Sequence, residues 1–545
     1  MPYDGLVTKN ICTELSTLLL GGKIDKIIQP NKDETLLFIR NNRTTYKLLL
    51  SANAENARTH LTEIKNIENP LKPFNFCMVL RKYLIGAKLT NVFQPNNDRI
   101  INFTFENSNE LGDKETKVLI IEMMGKHSNI ILVTDTNTII DSIRHIDFEI
   151  SSIREVMPGR KYQLPPSQNK LNPFLITKNE YDSTINSESK LSSNFTGICT
   201  FVSNAFNNLS FEEFSSFINK KSEPVVFLEN NIPKDFYYIP LDIKYNIKKF
   251  DFLSQAIDYF YTYKLENKKI ESAKNELAGT VSKLVTKYEK NLEIVNKKLD
   301  STKDMESIRI DGEILSANLY KIKPFDSEVT LDNYYTGKPI VIQLNPNLTA
   351  SQNLQSIFKK YNKLKNTQIA CSKQKEEITS ALNYFESLFY EIYTQKYIED
   401  LEEIKLELME QGIIKKNTKK KKELPSKPLE FELGNYKVLI GKNNIQNDKL
   451  TFHIASKNDI WFHIKNAPGS HTILRLNNIP IDNVSYETLN LVASLAAFHS
   501  KLKNSSKVEV DYTQVKNVKK IPGAKPGMVI YDNYKTLYVE PNDKV

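Results

Sequence analysis

The chain has few of the sequence features that are typical of secreted or membrane proteins. It has four cysteines in 545 residues and no C-x-x-C pair, so we expect neither a disulfide framework nor a zinc site. No run approaches 18 consecutive apolar residues, and no basic segment followed by an apolar core stands at the N-terminus. We therefore expect a cytoplasmic protein with no secretion signal and no membrane partner.

Patterns for metal binding and hydrolysis are also scarce. His453, His463 and His471 fall in the C-terminal stretch without cysteines or matched carboxylates. Strand pairs and turns explain them more simply than a metal site or a Ser-His-Asp arrangement does. The sequence therefore predicts no metal, no cofactor and no catalytic residues of these kinds.

Charge and length point to a multidomain protein with a polyanionic partner. The 74 Lys and Arg residues against 65 Asp and Glu give a net charge of +9, and Lys415–Lys422 holds six lysines in eight residues. Such a balance suits nucleic acid, although solvated lysine runs are common. A chain of this length predicts about three to five domains.

Two long amphipathic helices organise the middle of the chain. Apolar residues recur every three or four positions over Glu266–Leu299 and again over Ser351–Leu408, which predicts one apolar stripe per helix. The stripes can be buried if the helices pack antiparallel as a coiled-coil arm with residues 305–348 as its tip. Such an arm would be on the order of 50 Å long. A helical hairpin inside an ordinary globule is the alternative.

The first 170 residues have the pattern of an α+β domain. We predict helices at Asp4–Leu20 and Pro73–Leu84. The predicted strands are Lys23–Gln29, Thr35–Arg40, Thr45–Leu50, Lys88–Gln94, Arg99–Phe105, Lys117–Met123 and Asn129–Thr134. A polar, glycine-broken connection joins the last two strands, and such connections often carry recognition, although a plain hairpin turn is equally compatible.

The remaining stretches divide the chain further. Residues 171–262 are predicted to be a helical domain with helices Phe195–Phe206 and Phe211–Lys220, and Gly197 suggests a helix–hairpin–helix turn. The later predictions are a first coiled-coil helix at 263–304, a tip at 305–348 with strands Val329–Leu331 and Val341–Leu344, and a second helix at 349–412. A basic linker follows at 413–430. Residues 431–545 are predicted to be a second α+β domain with strands Tyr436–Gly441, Leu450–Ala455, Asp459–Ile464 and Val508–Tyr512 and helix Tyr486–Lys501.

Several short motifs together resemble the NFACT family. In the C-terminal domain they are Asp459–His463, Pro468–His471, Val510–Tyr512 and Gly523–Gly527. In the N-terminal domain they are Asp4–Gly5, Asp98–Arg99 and Glu122–Asn129, and in the middle Ala317–Tyr320 and Tyr361–Lys365 with Asn353. The likeness covers essentially the whole chain in the family's order. It implies an N-terminal domain similar in fold to DNA glycosylases of the formamidopyrimidine type and a C-terminal RNA-binding domain.

The resemblance also implies a role in ribosome quality control. Family members of this kind bind large ribosomal subunits obstructed by peptidyl-tRNA, recruit alanyl-tRNA and promote C-terminal alanine tailing of the stalled chain. Peptide-bond formation would be ribosomal, so the protein would not itself be an enzyme. The implied partners are the large subunit, tRNA-Ala, rRNA and a small helper protein of the same pathway.

The family's tRNA-binding positions match residues of this N-terminal domain. They are Asp98 and Arg99, together with a second patch of Glu122, Met123, Met124, Lys126 and His127. A guanidinium can grip a phosphate or stack on an unpaired base. An Asp98–Arg99 ion pair within the turn and two core methionines are the structural alternatives.

In the C-terminal domain, strand alternation predicts that either Trp461 or Phe462 points inward. His463, Ser470, His471 and Lys525 are the predicted RNA contacts.

Two other functions are compatible with parts of the sequence. A DNA glycosylase or lyase of the related fold uses an N-terminal proline amine, and this chain begins Met1-Pro2. Tyr3 follows, however, where that chemistry needs a glutamate, and zinc-finger cysteines are missing. A fibronectin-binding surface adhesin is the other alternative, and it would need an export signal and an anchor.

Overall fold

The computed structural model describes residues 3–65, 67, 69–108, 113–166, 169–185, 190–206, 209–241, 244–415, 426–477 and 479–543. The chain is a mixed α and β protein with two compact units, Met1–Asn267 and Lys268–Val545. Across these ranges, no helix is both long and apolar enough to cross a membrane.

A nine-stranded antiparallel sheet forms the base of the first unit. Its spatial order is β4-β3-β2-β1-β5-β6-β7-β8-β9, and helices α1 (Gly5–Leu19) and α2 (Asn75–Leu84) pack against it. The strands are β1 (Lys23–Asn31), β2 (Glu34–Asn41), β3 (Thr44–Ser51), β4 (Arg58–Leu61), β5 (Lys88–Phe93), β6 (Ile100–Ser108), β7 (Lys114–Glu122), β8 (Asn129–Thr134) and β9 (Ile139–Ser142). The seven predicted strands and both predicted helices are confirmed within a few residues at each end.

The rest of the first unit is less helical than predicted. It holds α3 (Lys178–Thr184), α4 (Leu191–Asn194), α5 (Thr200–Ala205), α6 (Phe211–Ile218) and the start of α7 (Leu253–Asp300). It also contains a three-stranded sheet of β10 (Val225–Glu229), β11 (Ile232–Tyr237) and β12 (Asn246–Lys249). The prediction of a helical 171–262 region is wrong for residues 225–249, where three strands form and the apolar run Val225–Phe227 is fully buried.

The predicted helix Phe195–Phe206 begins later than expected. Residues 195–199 form a turn between α4 and α5, and Gly197 has a φ of +71° there. This left-handed backbone favours glycine.

Long helices open the second unit. They are the later part of α7, then α8 (Met305–Ala317), α9 (Ala350–Thr394) and α10 (Ile398–Glu410), with a hairpin of β13 (Glu328–Asn333) and β14 (Lys338–Gln343) between α8 and α9. Leu277 packs in one cluster with Leu388, and Val295 packs in another with Cys371. Later residues of α7 therefore contact earlier residues of α9, so the two helices run antiparallel.

The second long helix differs from its predicted span. It ends at Thr394 and a new helix starts at Ile398, whereas the sequence predicts continuity to Leu408. Gln395 adopts an extended backbone at the break, and its Nε2 donates to the carbonyl of Lys442, 2.7 Å away. This tertiary contact outweighs the local helix preference.

A six-stranded antiparallel sheet of order β15-β16-β18-β17-β19-β22 forms the C-terminal part. The elements of this C-terminal part are β15 (Leu429–Leu433), β16 (Tyr436–Ile440), α11 (Asn444–Lys449), β17 (Ile460–Ile464), β18 (Thr472–Arg475), α12 (Tyr486–Phe498), β19 (Val508–Gln514), β20 (Val518–Lys520), β21 (Val529–Tyr531) and β22 (Lys535–Val539). Trp461 and Phe462 are both fully buried because separate clusters cover the two faces of the sheet. The predicted strand Leu450–Ala455 is wrong, since Leu450–Ile454 form a π-helical turn after α11. Most of the predicted lysine run, residues 416–422, lies outside the described ranges.

Candidate nucleic-acid interfaces

The predicted Asp98–Arg99 site lies at the turn before β6. Oδ1 of Asp98 accepts from the backbone N–H of Arg99, 2.7 Å away, and the carbonyl of Asp98 accepts from Nε2 of Gln94 at 2.7 Å. Both side chains are half-buried. Within the described ranges, no hydrogen bond or ion pair engages the Arg99 guanidinium. The alternative of an Asp98–Arg99 ion pair is therefore not found, and Asp98 fixes the turn through the backbone.

A cavity of about 350 Å³ opens beside this turn, a size within the range of ligand pockets. Its walls include Asp4, Gly5, Arg99, Lys170 and Gly197. A Cβ atom on Gly5 would lie 2.1 Å from the carbonyl oxygen of Asn97 and 2.5 Å from Cα of Gly197. Glycine at position 5 therefore lets three chain segments meet around the cavity.

Asp4 holds these segments together. Its carboxylate caps α1 by accepting from the N–H of Val7 at 3.0 Å, and it also accepts from the N–H of Cys199 at 3.2 Å and the hydroxyl of Tyr237 at 3.3 Å. Burial raises the pKa of Asp4 to about 6. Its contacts make Asp4 a positioning residue.

The second predicted patch adjoins the turn but is mostly interior. The carbonyl of Arg99 accepts from the N–H of Met123 at 2.8 Å, which places the two motifs together. Glu122 is 0% exposed, and its carboxylate accepts from Arg154 at 2.7 and 2.6 Å and from the hydroxyl of Tyr162 at 2.9 Å. Met123 is 2% exposed, as the core alternative predicts. Direct RNA contact by either side chain would require the loop to open.

The remaining residues of the patch are more accessible. Met124 is half-buried against the far face of the sheet. Lys126 and His127 are exposed on a 3-10 turn, Gly125–His127. The sequence alone does not identify Arg154 and Tyr162 as partners of Glu122. The signal that could have led to them is the position of Glu122 at the end of an apolar strand, where a buried carboxylate needs a cation or a hydrogen-bond donor beside it.

A second cavity, of about 450 Å³, lies in the second unit between α9 and the C-terminal sheet, again within the size range of ligand pockets. Trp461, His463, His471 and Tyr531 form an aromatic wall. The ring of Trp461 is parallel to that of His463, with centroids 5.6 Å apart, and lies edge-on to that of His471 at 5.2 Å. Three of the four sequence motifs of this domain, Asp459–His463, Pro468–His471 and Gly523–Gly527, thus meet at one place.

The surroundings of the two histidines of this wall keep both rings neutral. His471 is 1% exposed, and its Nδ1 is 2.8 Å from the hydroxyl of Thr451. His463 is half-buried and its Nε2 is 3.2 Å from the carbonyl oxygen of Gly469. Burial lowers the pKa of His471 to about 3 and also lowers the pKa of His463. Neither ring carries a charge at neutral pH with which to hold a phosphate.

The other two predicted contacts lie next to the cavity. Nζ of Lys525 sits 4.3 Å from the ring centroid of Tyr384 and 4.1 Å from that of Phe385, and burial lowers its pKa. Contact with a phosphate would require this ammonium to leave the two rings. Ser470 is half-buried and donates its backbone N–H to the carbonyl of His499, 3.2 Å away.

A layer of buried carboxyl groups connects α9 and α10 to α11. The hydroxyl of Tyr384 donates to Glu407 at 2.7 Å, and the backbone N–H of Asn444 donates to Glu391 at 3.3 Å. Burial raises the pKa of Glu407 to about 7, and burial together with the charge of Glu407 raises the pKa of Glu391. The sequence does not reveal this layer, because its members lie on an otherwise apolar helix face.

Comparison with known proteins identifies the family. A model of the NFACT N-terminal and middle domains matches residues 4–427, and a model of the NFACT protein RNA binding domain matches residues 430–533. This chain belongs to the NFACT family. The NFACT resemblance predicted from the motifs is thereby confirmed.

Two full-length relatives share the family name Rqc2 homolog RqcH. The protein from Streptococcus suis is 37% identical over 554 residues, covering 100% of this chain and 99% of the relative. The protein from Bacillus subtilis is 34% identical over 572 residues, covering 99% and 98%. A solved N-terminal structure of a fibronectin/fibrinogen-binding protein from Streptococcus suis is 34% identical, with a TM-score of 0.44, and covers 48% of this chain and 98% of that one.

Proposed function

We propose that this protein acts in ribosome quality control. It would bind large ribosomal subunits obstructed by peptidyl-tRNA, recruit alanyl-tRNA and promote C-terminal alanine tailing of the stalled chain, with the ribosome forming the peptide bonds. Full-length identity of 34–37% to RqcH proteins supports this role. Fibronectin binding is the less supported alternative. Met1 and Pro2, on which lyase chemistry would depend, lie outside the described ranges.

The observation that carries tRNA binding is the unengaged guanidinium of Arg99 at the mouth of the first cavity. A half-buried guanidinium without an acidic partner has all its donors available for a phosphate or the face of an unpaired base. Lys126 and His127 are exposed on the adjoining loop. The buried Glu122 fixes the positions of Arg154 and Tyr162 beside this surface through its hydrogen bonds.

The helical arm would set the distance over which tRNA is delivered. The pair of α7 and α9 would act as a spacer between the nucleic-acid-binding domains and the tip, residues 305–348. Removing one matched eleven-residue unit from each helix should preserve folding and tRNA binding but impair tailing. Tailing that survives this shortening would contradict a spacer role.

The test of tRNA binding is an Arg99→Asp variant compared with Arg43→Asp. Arg43 is exposed on the β2–β3 turn of the same unit, so its variant makes the same charge change elsewhere. We expect Arg99→Asp to lose tRNA from the purified protein while still binding large subunits, and Arg43→Asp to keep both. Sequencing of the RNA that co-purifies with the unaltered protein should show enrichment of tRNA-Ala. Undiminished tRNA recovery with Arg99→Asp would contradict the assignment.

A further inference from the structure

The second cavity differs from a phosphate site in its charge. Among the described residues that line it, the only charged side chain is Glu386, and no lysine or arginine contributes to the wall. The nearby ammonium of Lys525 faces Tyr384 and Phe385 instead. A phosphate entering this cavity would meet neutral aromatic groups and one carboxylate, so an anion is the wrong occupant.

The wall is instead suited to a flat, uncharged heterocycle. Aromatic side chains stack on the faces of unpaired bases, and neutral pockets of this volume hold ligands of nucleoside size. The half-buried rings of His463 and Tyr531 supply the stacking surface, and the fully buried ring of Trp461 packs behind them. The histidines are neutral because burial lowers their pKa.

Two amide side chains are available at the rim. Asn383 on α9 and Asn466 after β17 line the cavity and are exposed. Neither amide makes a side-chain hydrogen bond to any residue in the described part of the chain. The amides deeper in the wall are already committed, since Oδ1 of Asn447 accepts from the N–H of His471 at 3.1 Å. Asn383 and Asn466 therefore have free donors and acceptors that match the edge of a base.

We propose that this cavity binds one unpaired nucleobase of RNA, stacked against the half-buried rings of His463 and Tyr531 that cover Trp461, with Asn383 and Asn466 contacting its edge. The inference rests on the proposed function, because it identifies how the RNA-binding domain holds its RNA. The base enters between α9 and the sheet, and the sugar and phosphates stay outside the cavity.

The fluorescence of Trp461 reports directly on this event, since Trp461 is the chain's single tryptophan. The full-length protein is titrated with hexamers of adenylate, of uridylate and of abasic ribose phosphate. We expect a saturable fluorescence change with at least one base-containing hexamer and none with the abasic hexamer. The absence of a saturable change with both base-containing hexamers overturns the proposal, as does an equal change with the abasic one.

A matched pair of variants on α9 locates the binding. Asn383→Phe places a ring at the rim of the cavity, whereas Asn362→Phe makes the same change at an exposed position of the same helix outside it. We expect about a tenfold or greater loss of hexamer affinity for Asn383→Phe, the scale of losing one base stack, and no change for Asn362→Phe. Equal affinities for both variants overturn the proposal.

These experiments distinguish an error in the base-binding proposal from an error in the proposed function. If the unaltered protein retains tRNA and binds large subunits but no hexamer changes its fluorescence, the base-binding inference alone is wrong. If the unaltered protein recovers neither tRNA nor large subunits, the proposed function is wrong whatever the hexamers do.

Discussion

The two cavities of this protein differ in the number of charged groups that line them. The first, in the N-terminal unit, has the unengaged guanidinium of Arg99 at its wall. The second, in the C-terminal unit, has a wall of neutral rings around Trp461. Charge-based contact with nucleic acid weakens steeply as salt rises, whereas stacking does not depend on releasing counterions. Under the two proposals, one cavity would contact the RNA backbone and the other would bind a base.

The same contrast exists between two arginines of the first unit. Arg99 has no acidic partner among the described residues, while Arg154 gives two hydrogen bonds to the fully buried Glu122. Both lie near the same end of the β6–β7 pair. One guanidinium is thus available for a ligand and the other is part of the architecture that holds the loop.

The largest expected effect follows from removing the structural arginine. Arg154→Met leaves the Glu122 carboxylate buried without its cation, which should destabilise the first unit by about 3–5 kcal/mol. Hydrogen exchange of the β7 and β8 amides measures this loss locally. The control is Arg160→Met, which breaks an ion pair between the exposed Arg160 and Glu155 and should cost less. A double variant with Glu122→Gln should recover part of the loss, and equal protection in both single variants would show that Arg154 is not structural.

The second prediction concerns the pH dependence of the C-terminal unit. Glu407 has a pKa of about 7 in the folded protein against 4.5 in the unfolded chain. The folded state therefore keeps a proton that the unfolded state releases, and stability present below pH 4.5 is lost as the pH rises towards 7. Glu407→Gln should gain about 2–3 kcal/mol relative to the unaltered protein between pH 5 and pH 8.

Urea unfolding followed by Trp461 fluorescence measures this difference. The buried histidines titrate alike in both proteins, so their contribution cancels in the comparison. Glu391 adds to the difference with the same sign, because its pKa is raised in part by the charge of Glu407, which Glu407→Gln removes. Glu410→Gln is the matched control, because Glu410 is exposed on the same helix. A stability difference that does not change with pH would contradict the raised pKa of Glu407.

The third prediction separates the two cavities by their salt dependence. Arg99→Gln should lower tRNA affinity about tenfold at low salt and reduce the slope of log affinity against log salt by about 0.7–0.9, the value of one phosphate contact. Asn383→Phe should lower affinity with an unchanged slope. Filter binding at several salt concentrations measures both. Identical slopes for Arg99→Gln and the unaltered protein would remove the electrostatic assignment of the first cavity.

Local patterns were sufficient to predict most regular elements. The alternation in β1 to β3 and β5 to β8 and the stripes of the long helices follow from neighbours in sequence, and the structure has those elements. The break at Gln395 and the π-helical turn at Leu450–Ile454 depend on contacts with distant residues. The local periodicity of apolar residues does not reflect these distant contacts, so the sequence predicts a continuous helix and a strand instead.

The candidate sites, like the fold, could be predicted only in part from the sequence. The motifs led to Arg99, His463 and His471, and the structure places each of them at a cavity wall. Whether a motif residue faces a ligand or the interior depends on partners far along the chain. Glu122 is buried because Arg154 and Tyr162 reach it from more than 30 residues away. Residue type alone could not distinguish its role from that of Arg99.

The smallest effect tests whether Lys525 belongs to the charged site or to the neutral one. Its ammonium stacks on Tyr384 and Phe385, so Lys525→Met should cost about 0.5–1 kcal/mol of stability in the C-terminal unit. It should leave the salt slope of tRNA binding unchanged, because the ammonium is held by rings and not by phosphate. Lys519→Met, at an exposed ion pair with Asp532, is the control. A salt slope reduced by Lys525→Met but not by Lys519→Met would show that Lys525 leaves the rings to bind RNA, and the C-terminal site would then combine stacking with charge.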